Sequence, residues 1–92
     1  MMQKYVVEFL GTLFFLYVVL VVGKPLAVAL ALYVAILVGG KMSGGYFNPA
    51  ITVMMAAANK LPMKHLFPYL VAQVGGGLTA LALSRQVGRF RF

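Results

Sequence analysis

The apolar positions of this chain come in long unbroken runs, separated by short clusters of Gly, Pro, Lys and Asn. A run of about 18 or more apolar residues with few charges predicts a membrane-spanning helix, because only a helix satisfies its own backbone groups in lipid. The first run, 5–22, holds 18 residues. At about 1.5 Å per residue it covers about 27 Å, close to the ~30 Å hydrocarbon core of a bilayer. Gly23-Lys24-Pro25 ends it with flexible backbone, a charge and a residue that cannot continue a helix. A second run follows at about 26–40. A third, about 66–84, carries Pro68 in its first turn, where proline costs no internal hydrogen bond. The pattern predicts an all-α membrane protein with three transmembrane helices.

Between the second and third runs, residues 41–59 behave differently. Gly44 and Gly45 permit backbone shapes that other residues resist. Asn48-Pro49 reads as a helix start, with Asn as N-cap and Pro at the first helical position. The apolar stretch behind it spans about 15 Å, half a membrane, before Lys60 and Pro62 stop it. Two readings fit: a re-entrant half-helix, or an interfacial helix lying on the membrane surface.

Small residues recur at every fourth position in two spans, as Ala27, Ala31, Ala35 and Gly39, and as Ala72, Gly76, Ala80 and Ser84. Such stripes let helix backbones approach closely in lipid. Ala27-Val28-Ala29 has the form of a signal-peptidase site, but it lies inside further apolar sequence, which argues against cleavage.

Composition agrees with the pattern and removes other classes. The chain has 92 residues, 63% of them hydrophobic and 10% charged, which leaves too little polar cover for a soluble domain of this size. Its net charge of +7 would suggest nucleic acid in a soluble protein. Here the basic residues sit between apolar runs or in the C-terminal Arg85, Arg89 and Arg91, where a spanning chain meets water and headgroups, so no nucleic-acid partner is expected. With no cysteine and one histidine, no metal site, cofactor or catalytic residue is expected, and nothing suggests an enzyme. His65 lies near the membrane edge and is expected to be solvated. Glu8, the single acid, lies inside the first span, where an ionisable residue is a functional hypothesis by default.

The stretch Ser43-Gly44-Gly45-Tyr46-Phe47-Asn48-Pro49-Ala50-Ile51-Thr52 resembles the loop and half-helix of the aquaporin (major intrinsic protein) family. Glu8-Phe9-Leu10-Gly11-Thr12 is similar to the family's first-helix signature. Residues 69–76, with Ala72, Gln73, Gly75 and Gly76, are similar to its third-helix signature. The resemblance implies a single aquaporin-like repeat over 1–92 and a passive channel for water or small neutral solutes such as glycerol. It implies that Asn48, Pro49 and Ala50 face the pore, that the carbonyls of Gly44, Gly45, Tyr46 and Phe47 line it, and that Glu8 and Gln73 steady the loop. Physics supports such a design: a half-helix N-terminus carries unpaired N–H groups and about half a positive charge, which repels cations.

The chain departs from the family in three ways. It holds one repeat where the family has two in opposite orientation. Ile51 stands after Asn-Pro-Ala where the family's second motif supplies an arginine. Val28 stands where an aromatic usually narrows the constriction. One repeat cannot enclose a pore. Lys4, Lys41, Lys60 and Lys64 fall on one side of a three-span chain, and Lys24, Arg85, Arg89 and Arg91 on the other. Four against four leaves no positive-inside bias, so insertion in both orientations is admissible. The expected partner is a second copy in inverted orientation, which restores the inverted repeat. The alternatives are a separate second-half chain, an inactive truncated half-channel, and a small dual-topology exporter using Glu8. Higher oligomers are admissible, as the family clusters complete pores.

Overall fold

The structure, a computed structural model, describes residues 2–89, with side chains described through Val87. Arg91 of the charge count, and the outermost residues of the 1–92 repeat, lie outside the described residues. Among the described residues four α-helices and one 3-10 turn follow in order, α1 Met2–Val21, α2 Pro25–Ser43, α3 Pro49–Ala57, the turn Met63–His65 and α4 Leu66–Arg89. Among the described residues there is no strand. α1, α2 and the segment Met63–Val87 are each long and apolar enough to cross a membrane.

The breaks between helices follow from local chemistry. Gly23 adopts a left-handed φ of 68°, and its N–H reaches back to the Val18 carbonyl at 3.0 Å to close α1. Pro25 then opens α2 at a position that needs no N–H partner. α2 runs to Ser43, beyond the predicted limit near Gly40. Gly44, with φ 94°, ends it, donating its N–H to the Gly40 carbonyl at 2.8 Å. Gly39 and Gly40 both lie within the helix, and Gly39 is thin because it packs on α1. α4 likewise continues past the predicted limit near Ser84 to Arg89.

α1 is the central helix and packs against both α2 and α4. Glycines set the spacing. A Cβ on Gly76 would lie 2.6 Å from the Phe9 carbonyl oxygen, so α4 rides almost on the backbone of α1. A Cβ on Gly39 would lie 2.7 Å from the Val7 side chain, and one on Gly11 would overlap the Phe47 ring. Ala31, Ala35 and Gly39 form the buried face of α2, and Ala72, Gly76 and Ala80 that of α4. Ala27 and Ser84, at the far ends of the two stripes, are half-buried.

α3 is nine residues long, about 13–14 Å at 1.5 Å per residue. Its C-terminal end packs into a core of Ala56, Leu61 and Tyr69, lined by Tyr5, Tyr46, Met55 and Leu66. That core joins the start of α1 to the start of α4. Its N-terminal Asn48 shares a groove with Thr12, Gln73 and Gly77, the mid-points of α1 and α4. The short helix therefore enters from one end of the bundle and stops halfway along it.

Candidate functional site

The loop from Gly44 to Asn48 is held by one carboxylate. Glu8 is fully buried, and both of its oxygens are engaged twice. Oε2 accepts from the Ser43 hydroxyl at 2.7 Å and the Tyr46 N–H at 3.1 Å. Oε1 accepts from the Phe47 N–H at 2.8 Å and the Gln73 amide at 2.8 Å. Four donors match the four lone-pair sites of a carboxylate, which is what allows such a group to sit in an apolar bundle without a cation. No lone pair is left for a transported ion, and that removes the sequence feature on which the exporter alternative stood.

The network continues to α3. Gln73 donates its second amide hydrogen to the Thr52 hydroxyl at 2.6 Å, and Thr52 donates to the Asn48 carbonyl at 2.8 Å. The Tyr69 hydroxyl donates to the Ser43 carbonyl at 2.6 Å, tying the end of α2 to α4. Three helices thus fix one loop through charge-assisted or buried bonds, each stronger than an exposed one.

Asn48 caps α3. With φ −158° and ψ 125° its backbone is extended, and its Oδ1 accepts from the Ala50 N–H at 2.7 Å and the Ile51 N–H at 3.4 Å. Because Oδ1 faces the helix, Nδ2 points away from it, and among the described residues it has no partner. Asn48, Pro49 and Ala50 are all exposed. The positive end of a helix and a free amide donor therefore meet at mid-depth of the bundle.

The preceding residues divide their labour. Phe47 is 2% exposed and holds a left-handed φ of 52°, with its ring seated against Gly11 and Gly39. The ring acts as a plug, and its burial offsets the backbone strain of a bulky residue at positive φ. Gly45 is buried, Gly44 is exposed, and Tyr46 is half-buried with its ring 5.7 Å from Tyr69. Among the described residues, no hydrogen bond reaches the carbonyls of Gly44, Gly45, Tyr46 or Phe47.

Beneath Asn48 a groove of about 500 Å³ runs between α1 and α4, walled mainly by side chains such as Phe15, Leu16, Val74 and Leu78. Val28 is half-buried on the first turn of α2 and does not line this groove. Ile51 is 38% exposed on α3. Among the described residues no group of three metal-binding side chains occurs.

His65 departs from expectation. It is 3% exposed, not solvated, because the 3-10 turn tucks beneath the start of α1. Its Nδ1 shares a 2.7 Å hydrogen bond with the Tyr5 hydroxyl, and the Tyr5 ring lies 5.8 Å away. Sequence reading also missed Ser43, Thr52, Tyr69 and the Phe47 ring. A signal was present for some of them: Glu8 with Thr12, and Tyr69 with Gln73, are polar pairs four apart in apolar runs, each pair on one helix face.

The family described as Major intrinsic protein matches residues 1–89. A glycerol uptake facilitator protein-like 6 of Lactiplantibacillus plantarum is 38% identical over 90 residues, covering 88% of this chain and 42% of the relative. An aquaporin Z of Brucella melitensis is 38% identical over 99 residues, covering 90% of this chain and 43% of the relative. An aquaporin Z of Rhodopseudomonas palustris is 40% identical over 62 residues, covering 67% of this chain and 26% of the relative. The chain spans about two fifths of the length of the first two. No solved structure matches it.

Proposed function

The chain belongs to the major intrinsic protein family, and from that premise we propose that it forms a passive channel for water and small neutral solutes such as glycerol, with the pore completed by a second repeat in inverted orientation. It is an integral, multi-pass membrane protein, and lipid is its surroundings. The observation that carries the reading is Asn48. Its Oδ1 is spent on the cap, and its Nδ2 is free at the positive end of a helix that stops at mid-depth. A donor there, with unpaired carbonyls from Gly44 to Phe47 beside it, suits a file of uncharged solute that both donates and accepts. The helix end disfavours cations.

The same observation supports pairing. A free amide and an exposed helix end cannot stay bare in hydrocarbon without loss of several kcal/mol, on the order of an unmade hydrogen bond in an apolar medium. A second copy in inverted orientation brings its own half-helix to the same depth, so Asn48 faces Asn48. The balanced distribution of Lys and Arg admits both orientations. With Val28 where the family usually offers an aromatic, and Ile51 after Asn-Pro-Ala where the family's second motif supplies an arginine, the constriction is wider and less polar. Glycerol therefore passes as well as water.

The test is osmotic swelling of proteoliposomes containing this chain alone, with water and glycerol run in parallel. The expected result is permeability above empty vesicles for both, lost in Asn48→Asp, which puts a carboxylate at the helix end. Permeability no greater than empty vesicles would remove the claim for the lone chain and point to a separate second-half chain. Flow unchanged in Asn48→Asp would take Asn48 out of the pore.

A further inference from the structure

Among the described residues two that are not glycine hold a left-handed backbone, Asn59 with φ 63° and Phe47 with φ 52°. Asparagine visits that shape readily, through its short polar side chain. A bulky phenylalanine does not, and its surroundings must hold it there. Strain of this kind gathers at functional sites, and Phe47 directly precedes Asn48.

The ring is what holds it. It is seated between thin residues of two different helices, Gly11 on α1 and Gly39 on α2. A Cβ on Gly11 would overlap the ring, and one on Gly39 would lie 3.3 Å from its Cζ. The Phe47 N–H is fixed separately, by Glu8 Oε1 at 2.8 Å. With ring and N–H both anchored, the direction in which the chain leaves residue 47 is set. Asn48 leaves it extended, and from that pose its Oδ1 reaches the Ala50 N–H at 2.7 Å. Among the described residues no hydrogen bond aims the Phe47 carbonyl, so the turn at 47 does.

Glycine would take the same φ without strain, as Gly44 and Gly45 do just before it. Glycine would also leave the loop free to take others. The ring supplies what glycine cannot, a single fixed direction. We propose that Phe47 is a positioning residue for solute choice: its ring, locked in the slot between Gly11 and Gly39, aims the Phe47 carbonyl and the Asn48 amide at the passing solute. Glu8 fixes where the loop lies, and Phe47 fixes which way its last peptide faces. The proposal rests on the channel reading and names a residue that sets its selectivity. A solute with several hydroxyls needs several aligned partners at once, so glycerol depends on this aim more than water does.

The experiment compares glycerol and water permeability of the full chain in proteoliposomes, with NMR of the same chain labelled at Phe47 and Asn48 in lipid. Phe47→Gly tolerates the backbone and removes the ring. Gly11→Ala keeps Phe47 and pushes the ring from its slot. In both, the ratio of glycerol to water flow is expected to fall about tenfold, the lower end of what misplaced groups cost, and the Asn48 side-chain amide signal to shift. A role in stability alone lowers both flows together and leaves the ratio, so an unchanged ratio overturns the proposal. The wild type needs no variant: a ring locked between two helix backbones flips slowly, and fast flipping overturns the proposal as well. Wild-type permeability no greater than empty vesicles overturns the channel reading instead, and the ring and Asn48 signals then decide the lock by themselves.

Discussion

The two halves of this bundle, divided at the level of Asn48, are built from the same helices and are packed in opposite ways. In the half that α3 enters, buried side chains follow one another: Glu8 and Thr12 on α1, Tyr69, Ala72 and Gln73 on α4, with Phe47, Thr52, Ala56 and Leu61 between. In the other half α1 buries no residue after Thr12, and large side chains such as Val19, Leu20, Leu78 and Leu83 stand exposed. The difference is the half-helix. Where a third element fills the angle between α1 and α4, polar side chains are enclosed, and among the described residues all their buried atoms but the Thr12 hydroxyl and the Gln73 Oε1 are paired. Where none does, little beyond small residues such as Ala31 and Ala80 is enclosed, and the walls turned to lipid or to another copy are apolar. One chain is therefore complete over half of its depth, and the inverted second repeat that we propose supplies the other half.

The contrast can be broken most severely at Glu8. Glu8→Gln turns an NH2 toward one of the two loop N–H groups, leaves buried donors unmet, and is expected to cost about 1–3 kcal/mol, the range for a buried polar group without its partner. Unfolding in detergent measures it, and permeability should vanish with the loop. A loss under about 1 kcal/mol would mean that the loop is held by something else.

Adjacent glycines sharpen the comparison. Gly76 faces backbone at 2.6 Å in the filled half, so Gly76→Ala should destabilise by about 1–3 kcal/mol. Gly77 faces only the end of the flexible Leu16 side chain at 3.1 Å. Gly77→Ala should be neutral or stabilise by up to about 1 kcal/mol through helix propensity. Equal effects at the two positions would erase the distinction between close backbone packing and open groove.

Smaller effects separate fold from flow. Asn48→Ala removes a cap and should cost about 1 kcal/mol of stability, with a far larger loss of solute flow. In the unfilled half, Leu78→Ala changes a side chain that is 63% exposed. It should alter the stability of one copy by less than about 0.5 kcal/mol, yet weaken self-association measured in detergent or lipid. If association is unaffected, that wall faces lipid.

Much of this arrangement is legible in the sequence. Run lengths and their Gly, Pro and Lys breaks are local features, and they revealed three long helices and one of half length. The Asn48 cap was legible for the same reason, since capping reads only the next three residues. The α2 limit lies beyond Gly39-Gly40 because Gly39 packs against α1 and the left-handed backbone begins only at Gly44. What escaped was long-range: Gln73 to Glu8, Tyr69 to Ser43 and Tyr5 to His65 join residues 65, 26 and 60 positions apart. No periodicity records such pairs. His65 departs from expectation for that reason, since a lone basic residue beside lysines looks solvated until a turn folds it under Tyr5. The Phe47 ring escaped differently, because the apolar pattern cannot tell a plug from a lipid-facing side chain.

The proposal that one copy is completed by an inverted second copy is tested most directly by orientation. The chain has no cysteine, so a single one introduced as Met63→Cys, an exposed and uncharged position on the 3-10 turn before α4 that leaves the Lys and Arg count untouched, reports which side of the membrane that turn occupies. Sealed vesicles holding the chain alone are treated with a membrane-impermeant maleimide, then opened and treated again. The account expects about half of the molecules to react before opening and the rest only afterwards, because the Lys and Arg count gives no bias. A single accessible population, all before or all after, would contradict it.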